Sequence, residues 1–240
     1  MAETDEIVLS FHDSLLRKSD INLLEGSRWL NDTVIGFAFE YFEQEQFRDF
    51  NEEVCFISPD VTQFIKLSSG KCPFDIGIFL EPLNLESKKL IFLAVNDNES
   101  RESAGGSHWT LLVFDRENES FSHYDSAGSY YSQSVSALST KLATYVKAKT
   151  EVKFVTADSP QQKNISISNS SGNCGIFGAI DRLFGACYDC GLFVICSTEH
   201  LCKQLLQGCK ISLKDAVTQE AVSRKRDALK TLILSLSNPA

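Results

Sequence analysis

A chain of 240 residues with 43% apolar and 23% charged side chains has enough apolar surface for a sizeable core, which excludes disorder over its whole length. Its 23 basic against 32 acidic residues give a net charge of −9, which argues against binding nucleic acid and is compatible with a basic protein partner. The longest apolar run, Leu90-Ile91-Phe92-Leu93-Ala94-Val95, is far too short to span a bilayer, so no membrane association is expected.

The first residues, Met1-Ala2-Glu3-Thr4-Asp5-Glu6, are acidic where a secretory signal would be basic and then apolar, so the expected compartment is the cytosol or nucleus. In that reducing setting the eight cysteines read as packed thiols, metal ligands or a nucleophile rather than as disulfides. After Trp29-Leu30, Asn31 or Asp32 can cap a largely buried helix that reaches about Phe47. Val54-Ile57 predicts a short strand. Ser58-Pro59-Asp60 opens a second helix with Pro59 at its first position and Val61, Phe64 and Ile65 turned inward. The stretch Lys71-Leu85 reads as irregular.

Leu90-Val95 predicts a central strand, followed by a polar loop from Asn96 to Gly106 of the kind that often carries substrate contacts. Ser107-Phe114 and Glu119-Asp125 predict two strands around the turn Asp115-Arg116-Glu117-Asn118. Ser132-Lys149 predicts a helix and Val152-Val155 a strand. Cys190 begins a core helix, and an amphipathic helical pattern fills much of Ser212-Leu236. Helices and strands intermix without regular βαβ alternation, so the fold class is α+β.

If the turn Asp115-Asn118 closes an antiparallel hairpin, Phe114 faces Glu119 and His108 stands opposite Asp125 on the same sheet face. A carboxylate there orients an imidazole and stabilises its charged form. Cys190 follows Asp189 at the start of an apolar helix, where the helix dipole and free N–H groups favour a thiolate. Cys, His and Asp are the nucleophile, general base and orienting group of a thiol protease. The thiols of Cys55, Cys72, Cys196, Cys202 and Cys209 read as structural.

Five ordered motifs carry a family resemblance. Trp29-Leu30-Asn31-Asp32, Gly106-Ser107-His108-Trp109, His123-Tyr124-Asp125-Ser126, Gln161-Gln162-Lys163-Asn164 and Tyr188-Asp189-Cys190-Gly191 together resemble the Ulp/sentrin-specific cysteine protease family. Val8-Leu9-Ser10, Asp13-Ser14-Leu15-Leu16-Arg17, Phe79-Leu80-Glu81-Pro82-Leu83 and Ala94-Val95-Asn96-Asp97-Asn98 are similar to its deneddylase branch, which acts on the Nedd-type ubiquitin-like modifier.

The resemblance implies one protease domain over residues 1–240, with a papain-like core in which helices flank a central mixed sheet. It implies the catalytic residues His108, Asp125 and Cys190, with Gln162 as oxyanion donor. It also implies that Trp29 and Trp109 clamp a narrow tunnel for the modifier's Gly-Gly tail, with Asp32 as a further substrate contact. The expected partners are the modifier and its conjugates, cullins among them. The expected protein is a monomer with no cofactor and no metal.

The family places its Gln six residues before its Cys, whereas here Gln162 and Cys190 stand 28 positions apart. The extra 22 residues fall at about 165–187, a stretch that a retained in-frame intron would also produce. They bring a second motif, Asn173-Cys174-Gly175-Ile176-Phe177, and create Cys187-Tyr188-Asp189-Cys190. No partner ligands accompany that Cys-x-x-Cys spacing, so a zinc or redox site is not expected. The expected function is therefore processing and removal of a ubiquitin-like modifier. The alternative is a catalytically impaired modifier-binding protein, in which the insert separates oxyanion donor from nucleophile.

Overall fold

The computed structural model describes residues 5–68, 73–103, 105–128, 132–162 and 188–237. Five strands form its frame: β3 (Val54–Ile57), β4 (Leu90–Asn96), β5 (Trp109–Asp115), β6 (Ser120–Tyr124) and β7 (Lys153–Thr156). They lie side by side in that order in one mixed sheet. The outer pairs β3/β4 and β6/β7 are parallel, and β4, β5 and β6 are antiparallel neighbours. A separate hairpin joins β1 (Ile7–Phe11) to β2 (Ser14–Arg17), and the Glu40 carboxylate accepts the N–H groups of Asp13 and Ser14 at its turn.

Alternation along the strands feeds two cores, because helices cover both faces of the sheet. Phe92, Ala94, Trp109, Leu111 and Val113 face α2 (Asp32–Tyr41), α6 (Cys190–Gln207) and α8 (Gln219–Ser237). Ile91, Leu93, Val95, Leu112 and Phe114 face α3 (Pro59–Leu67), α4 (Pro73–Leu80) and α5 (Ser132–Val146). Two short helices, α1 (Lys18–Asn22) and α7 (Leu213–Ala216), complete the described set. The class is α+β with a central mixed sheet flanked by helices, as the sequence predicts. The 165–187 insert, and with it Cys174 and Cys187, lies outside the described residues, as does Cys72.

Caps place the helices as expected at two points. Asn31 Oδ1 accepts the Val34 N–H at 3.1 Å, and Ser58 caps α3 with Pro59 in its first turn. Two expectations need correction, and one holds in extent only: the first helix reaches Gln46, but beyond Tyr41 it runs as a π turn over Phe42–Gln46. The wider turn lets Phe42 and Phe47, five apart, pack on each other at 5.8 Å and jointly against Phe56.

In α3 the buried face is Thr62, Ile65 and Lys66, whereas Phe64 is exposed and rests on Phe79. The Lys66 ammonium is drawn in because the carbonyls of Asn96 and Asn98 need a donor. The supposedly irregular stretch 71–85 contains α4 and a 3-10 turn at Glu81–Leu83, since Ile76 and Leu80 have a core to join.

Phe92 is fully buried and stacks on Phe56 at 5.4 Å, joining β4 to the face that carries α2. Phe92→Ala is therefore expected to cost about 3–5 kcal/mol of unfolding free energy. Urea denaturation checks this, with a lowered midpoint and an unchanged slope as the expected outcome.

Candidate active site

His108 lies just before β5 and Asp125 just after β6, so the turn joining these strands decides whether the two meet. The observed register places Asp115 opposite Ser120 and Leu112 opposite His123, a shift of two from the expected pairing. The Asp115 carboxylate accepts the N–H groups of Glu117 and Asn118, which carries the strand one residue further before the chain turns. Glu119 sits at φ 45° in the loop, where its carboxylate accepts the N–H groups of Lys149 and Thr150. Direct opposition of His108 and Asp125 is thus corrected to a diagonal. The shift preserves parity, so the side chains still share a face.

They do meet. His108 Nε2 and Asp125 Oδ1 are 2.7 Å apart, and both residues are buried. Asp125 Oδ1 also accepts the Ala127 N–H at 2.9 Å, and the Asp125 N–H donates to Ser159 Oγ at 3.0 Å. On the other side Asp97 Oδ1 accepts the N–H groups of Ser107 at 2.7 Å and His108 at 3.1 Å. Gly106 makes this possible: its φ is +101°, and a Cβ there would lie 1.9 Å from Asn96 Oδ1.

Cys190 is the first residue of α6, is buried, and hydrogen-bonds through its side chain to His108. Burial alone depresses the His108 pKa and is the largest single influence. The bond to Asp125, the bond to Cys190 and the charges of both together outweigh it, and the imidazole is raised to about 10. Three further cysteines are buried away from any such partner. Burial pushes the Cys55 and Cys196 thiols up to about 12 and Cys202 upward as well, which leaves them inert.

His123 is fully buried against Phe154, with its pKa lowered chiefly by burial, and does not hydrogen-bond His108 or Asp125 through either ring nitrogen.

Gln162 is held beside this centre through its backbone, whose N–H donates to Ser126 O at 2.9 Å. Neighbouring Gln161 pins the same strip, with Nε2 donating to Asp125 O at 3.0 Å. The Gln162 Nε2 amide is buried and has no hydrogen-bond acceptor among the described residues. Ser159 and Pro160 from this strip line a small cavity together with Trp109 and Cys190.

Trp109 also lines an open cleft of about 620 Å³ with Trp29, Asp32, Asp60, Gly106 and His108. Its Nε1–H donates to Leu30 O at 2.9 Å, fixing one wall, while half-exposed Trp29 rests on Tyr188 at 5.2 Å. Burial and the nearby Asp32 carboxylate raise the Asp60 pKa. The structure therefore gathers His108, Asp125 and Cys190, with Gln162 tied to the same strand end, and puts Trp29, Asp32 and Trp109 on one cleft. Among the described residues no three His, Cys, Asp or Glu side chains gather as metal ligands.

Sequence reasoning missed the supports: Asp97, Ser159, Gln161 and Lys66. The Asn96-Asp97-Asn98 run at a strand end was the one available signal, since Asx side chains there commonly hold following N–H groups.

The family model for the C-terminal catalytic domain of Ulp1 proteases matches residues 28–178. The match ends ahead of Cys190, so it is geometry that brings Cys190 to His108. Sentrin-specific protease 8 of Rattus norvegicus is 43% identical over 234 residues, covering 97% of this chain and 96% of that protein. NEDD8-specific protease 1 of Arabidopsis thaliana is 30% identical over 207 residues, covering 85% and 79%. The yeast Ulp1 C-terminal protease domain, solved in complex with the SUMO ortholog Smt3, superposes with a TM-score of 0.69 at 18% identity, covering 98% of this chain and 90% of that one.

The raised His108 pKa has a measurable consequence. The folded protein retains a proton that the unfolded chain releases from about pH 6.5 upward, so the stabilisation is complete below that pH and is lost as pH rises through about 10. Urea midpoints measured at pH 6 and pH 10 are expected to show the wild-type advantage over His108→Gln shrinking toward the higher pH.

Proposed function

The chain belongs to the Ulp1 protease family of cysteine peptidases, and from that premise we propose that it is a deneddylase. It would cleave after the carboxyl-terminal glycine of a NEDD8-type modifier, both to mature the modifier and to remove it from conjugated proteins such as cullins. The observation that carries the reading is the 2.7 Å pair of His108 and Asp125 with Cys190 bonded to the same imidazole at a helix amino terminus. The names of the similar proteins support the choice of modifier.

In this reading the Cys190 sulfur attacks the glycine carbonyl as the thiolate partner of a protonated His108. The oxyanion that forms takes hydrogen bonds from Gln162 Nε2 and the Cys190 N–H. His108 then gives its proton to the departing amine, the lysine of an isopeptide bond or the first residue of a tail. A thioester is left on Cys190. Water, deprotonated by His108, attacks the thioester carbonyl, and the modifier leaves with a free carboxylate. Asp125 keeps the imidazole in orientation throughout.

Trp29 and Trp109 flank the path of the tail, where only glycine passes, and Asp32 contacts the modifier beside it. The protein would act as a monomer in the cytosol or nucleus, where a free thiol stays reduced. The geometry favours turnover over a catalytically impaired binding protein, because base, orienting carboxylate and thiol meet despite the 28-position interval between Gln162 and Cys190.

Cleavage of carboxyl-terminal fusions tests the reading. Turnover of a NEDD8 fusion is expected to exceed that of SUMO and ubiquitin fusions, and Cys190→Ser is expected to abolish it. Equal cleavage of all three fusions overturns the modifier choice, and full activity of Cys190→Ser overturns the nucleophile. Gln162→Ala is expected to lower kcat by about 100–1000-fold, the usual loss for one oxyanion donor.

A further inference from the structure

Asp189 occupies the position before the Cys190 helix, yet it does not behave as a residue of its type does there. Aspartate is among the preferred N-cap residues because its carboxylate accepts a free N–H of the first helical turn. Asn31, Ser58 and Ser212 each do this for their own helices, accepting from Val34, Val61 and Asp215. Asp189 makes no side-chain cap. Its two oxygens are turned away, Oδ1 accepting from Arg226 Nη2 at 2.9 Å and Oδ2 from Gln219 Nε2 at 2.8 Å.

Arg226 is buried in α8 and cannot follow a wandering carboxylate. Its Nη1 donates to Leu23 O at 2.7 Å and its Nη2 to Arg28 O at 3.0 Å, both carbonyls of the segment that leads into Trp29. The guanidinium is thus fixed by the cleft wall and holds Asp189 against itself. The charged pair is half sheltered, with side chains 9% and 24% exposed, so solvent screens it less than a surface bridge.

We propose that Arg226 is a positioning residue for the Cys190 chemistry, acting by holding the Asp189 carboxylate off the amino terminus of the nucleophile's helix. This rests on the reading of Cys190 as the nucleophile. With the carboxylate held away, the first-turn N–H groups of α6 stay available to a developing oxyanion and to the sulfur. Released, Asp189 would take the ordinary N-cap geometry. It would then occupy those donors and set a negative charge beside a sulfur that must itself become negative. Nothing in the sequence marks Arg226, which stands 36 positions after the nucleophile in a charged amphipathic helix.

The test is a suppressor experiment on the full chain with Arg226→Met, Asp189→Ala and the double variant. The readouts are kcat and KM on a NEDD8 fusion, and the pH dependence of iodoacetamide alkylation of the Cys190 peptide. Arg226→Met is expected to lower kcat on the order of tenfold with KM within about twofold, and to move the alkylation profile to higher pH. Adding Asp189→Ala is expected to recover most of the lost kcat and to return the profile. Asp189→Ala also relieves a carboxylate left unpaired by Arg226→Met, which restores stability without moving the alkylation profile, so the returned profile is the readout specific to positioning. A double variant as slow as Arg226→Met, with the alkylation profile unmoved throughout, overturns the inference. If Arg226→Met does not fold, Arg226→Lys with and without Asp189→Ala supplies the same comparison, because lysine keeps the charge but not the planar fork. Turnover that survives Cys190→Ser instead overturns the underlying nucleophile assignment, so the two failures are distinguishable.

Discussion

A single hydrogen bond, His108 Nε2 to Asp125 Oδ1, joins the start of one strand to the end of the next, and most of the site is arranged around it. It forms where the β5–β6 ladder has ended, so no backbone pair of that ladder ties the two residues to each other. Each partner is held by other means. Asp97 grips the N–H groups of Ser107 and His108, and Ser159 and Ala127 fix Asp125. A pair at a ladder end costs these extra hydrogen bonds but leaves the imidazole open on its far side, where Cys190 arrives from a helix.

Cys190 comes from the other direction in the fold. Trp109 and Leu111 turn to the face on which α6 packs, while the neighbouring positions of β5 turn to α3 and α5. Alternation along one strand therefore places the cleft wall and the Cys190 helix on one side, with the helices that pack behind His108 on the other. Buried polar groups make the arrangement rigid in the way a purely apolar core would not, because each has one geometry that satisfies it. Lys66 shows this: from the last turn of α3 its buried side chain ties down the carbonyls of Asn96 and Asn98, the strand end from which Asp97 reaches His108.

Much of this was legible in the sequence. The apolar run Leu90-Val95, the Asn31 cap and the Cys190 helix each carry a local signal that tertiary structure did not override. The His108 and Asp125 pairing was read from strand parity, and parity survived although the register did not. The two-residue slip came from Asp115 and Glu119, whose carboxylates bind backbone N–H groups, one of them across to Thr150, a contact that turn composition cannot show. Phe64 was expected inward on hydrophobicity, and Lys66 took the buried face because unpaired carbonyls lay there. The helix at Pro73–Leu80 was missed because its support comes from a core assembled by distant segments. Support residues such as Gln161 and Arg226 were not legible for the same reason: their partners are fixed by the fold, not by spacing.

In the proposed chemistry Cys190, activated by His108, is the sulfur that meets the modifier's terminal carbonyl. Reaction of the full chain with NEDD8 carrying an electrophile at its carboxyl terminus, followed by mass-spectrometric mapping of the adduct, reads that step alone. One adduct is expected, on Cys190, formed much more slowly in His108→Ala. An adduct on Cys174, or one that forms equally fast without His108, would contradict it.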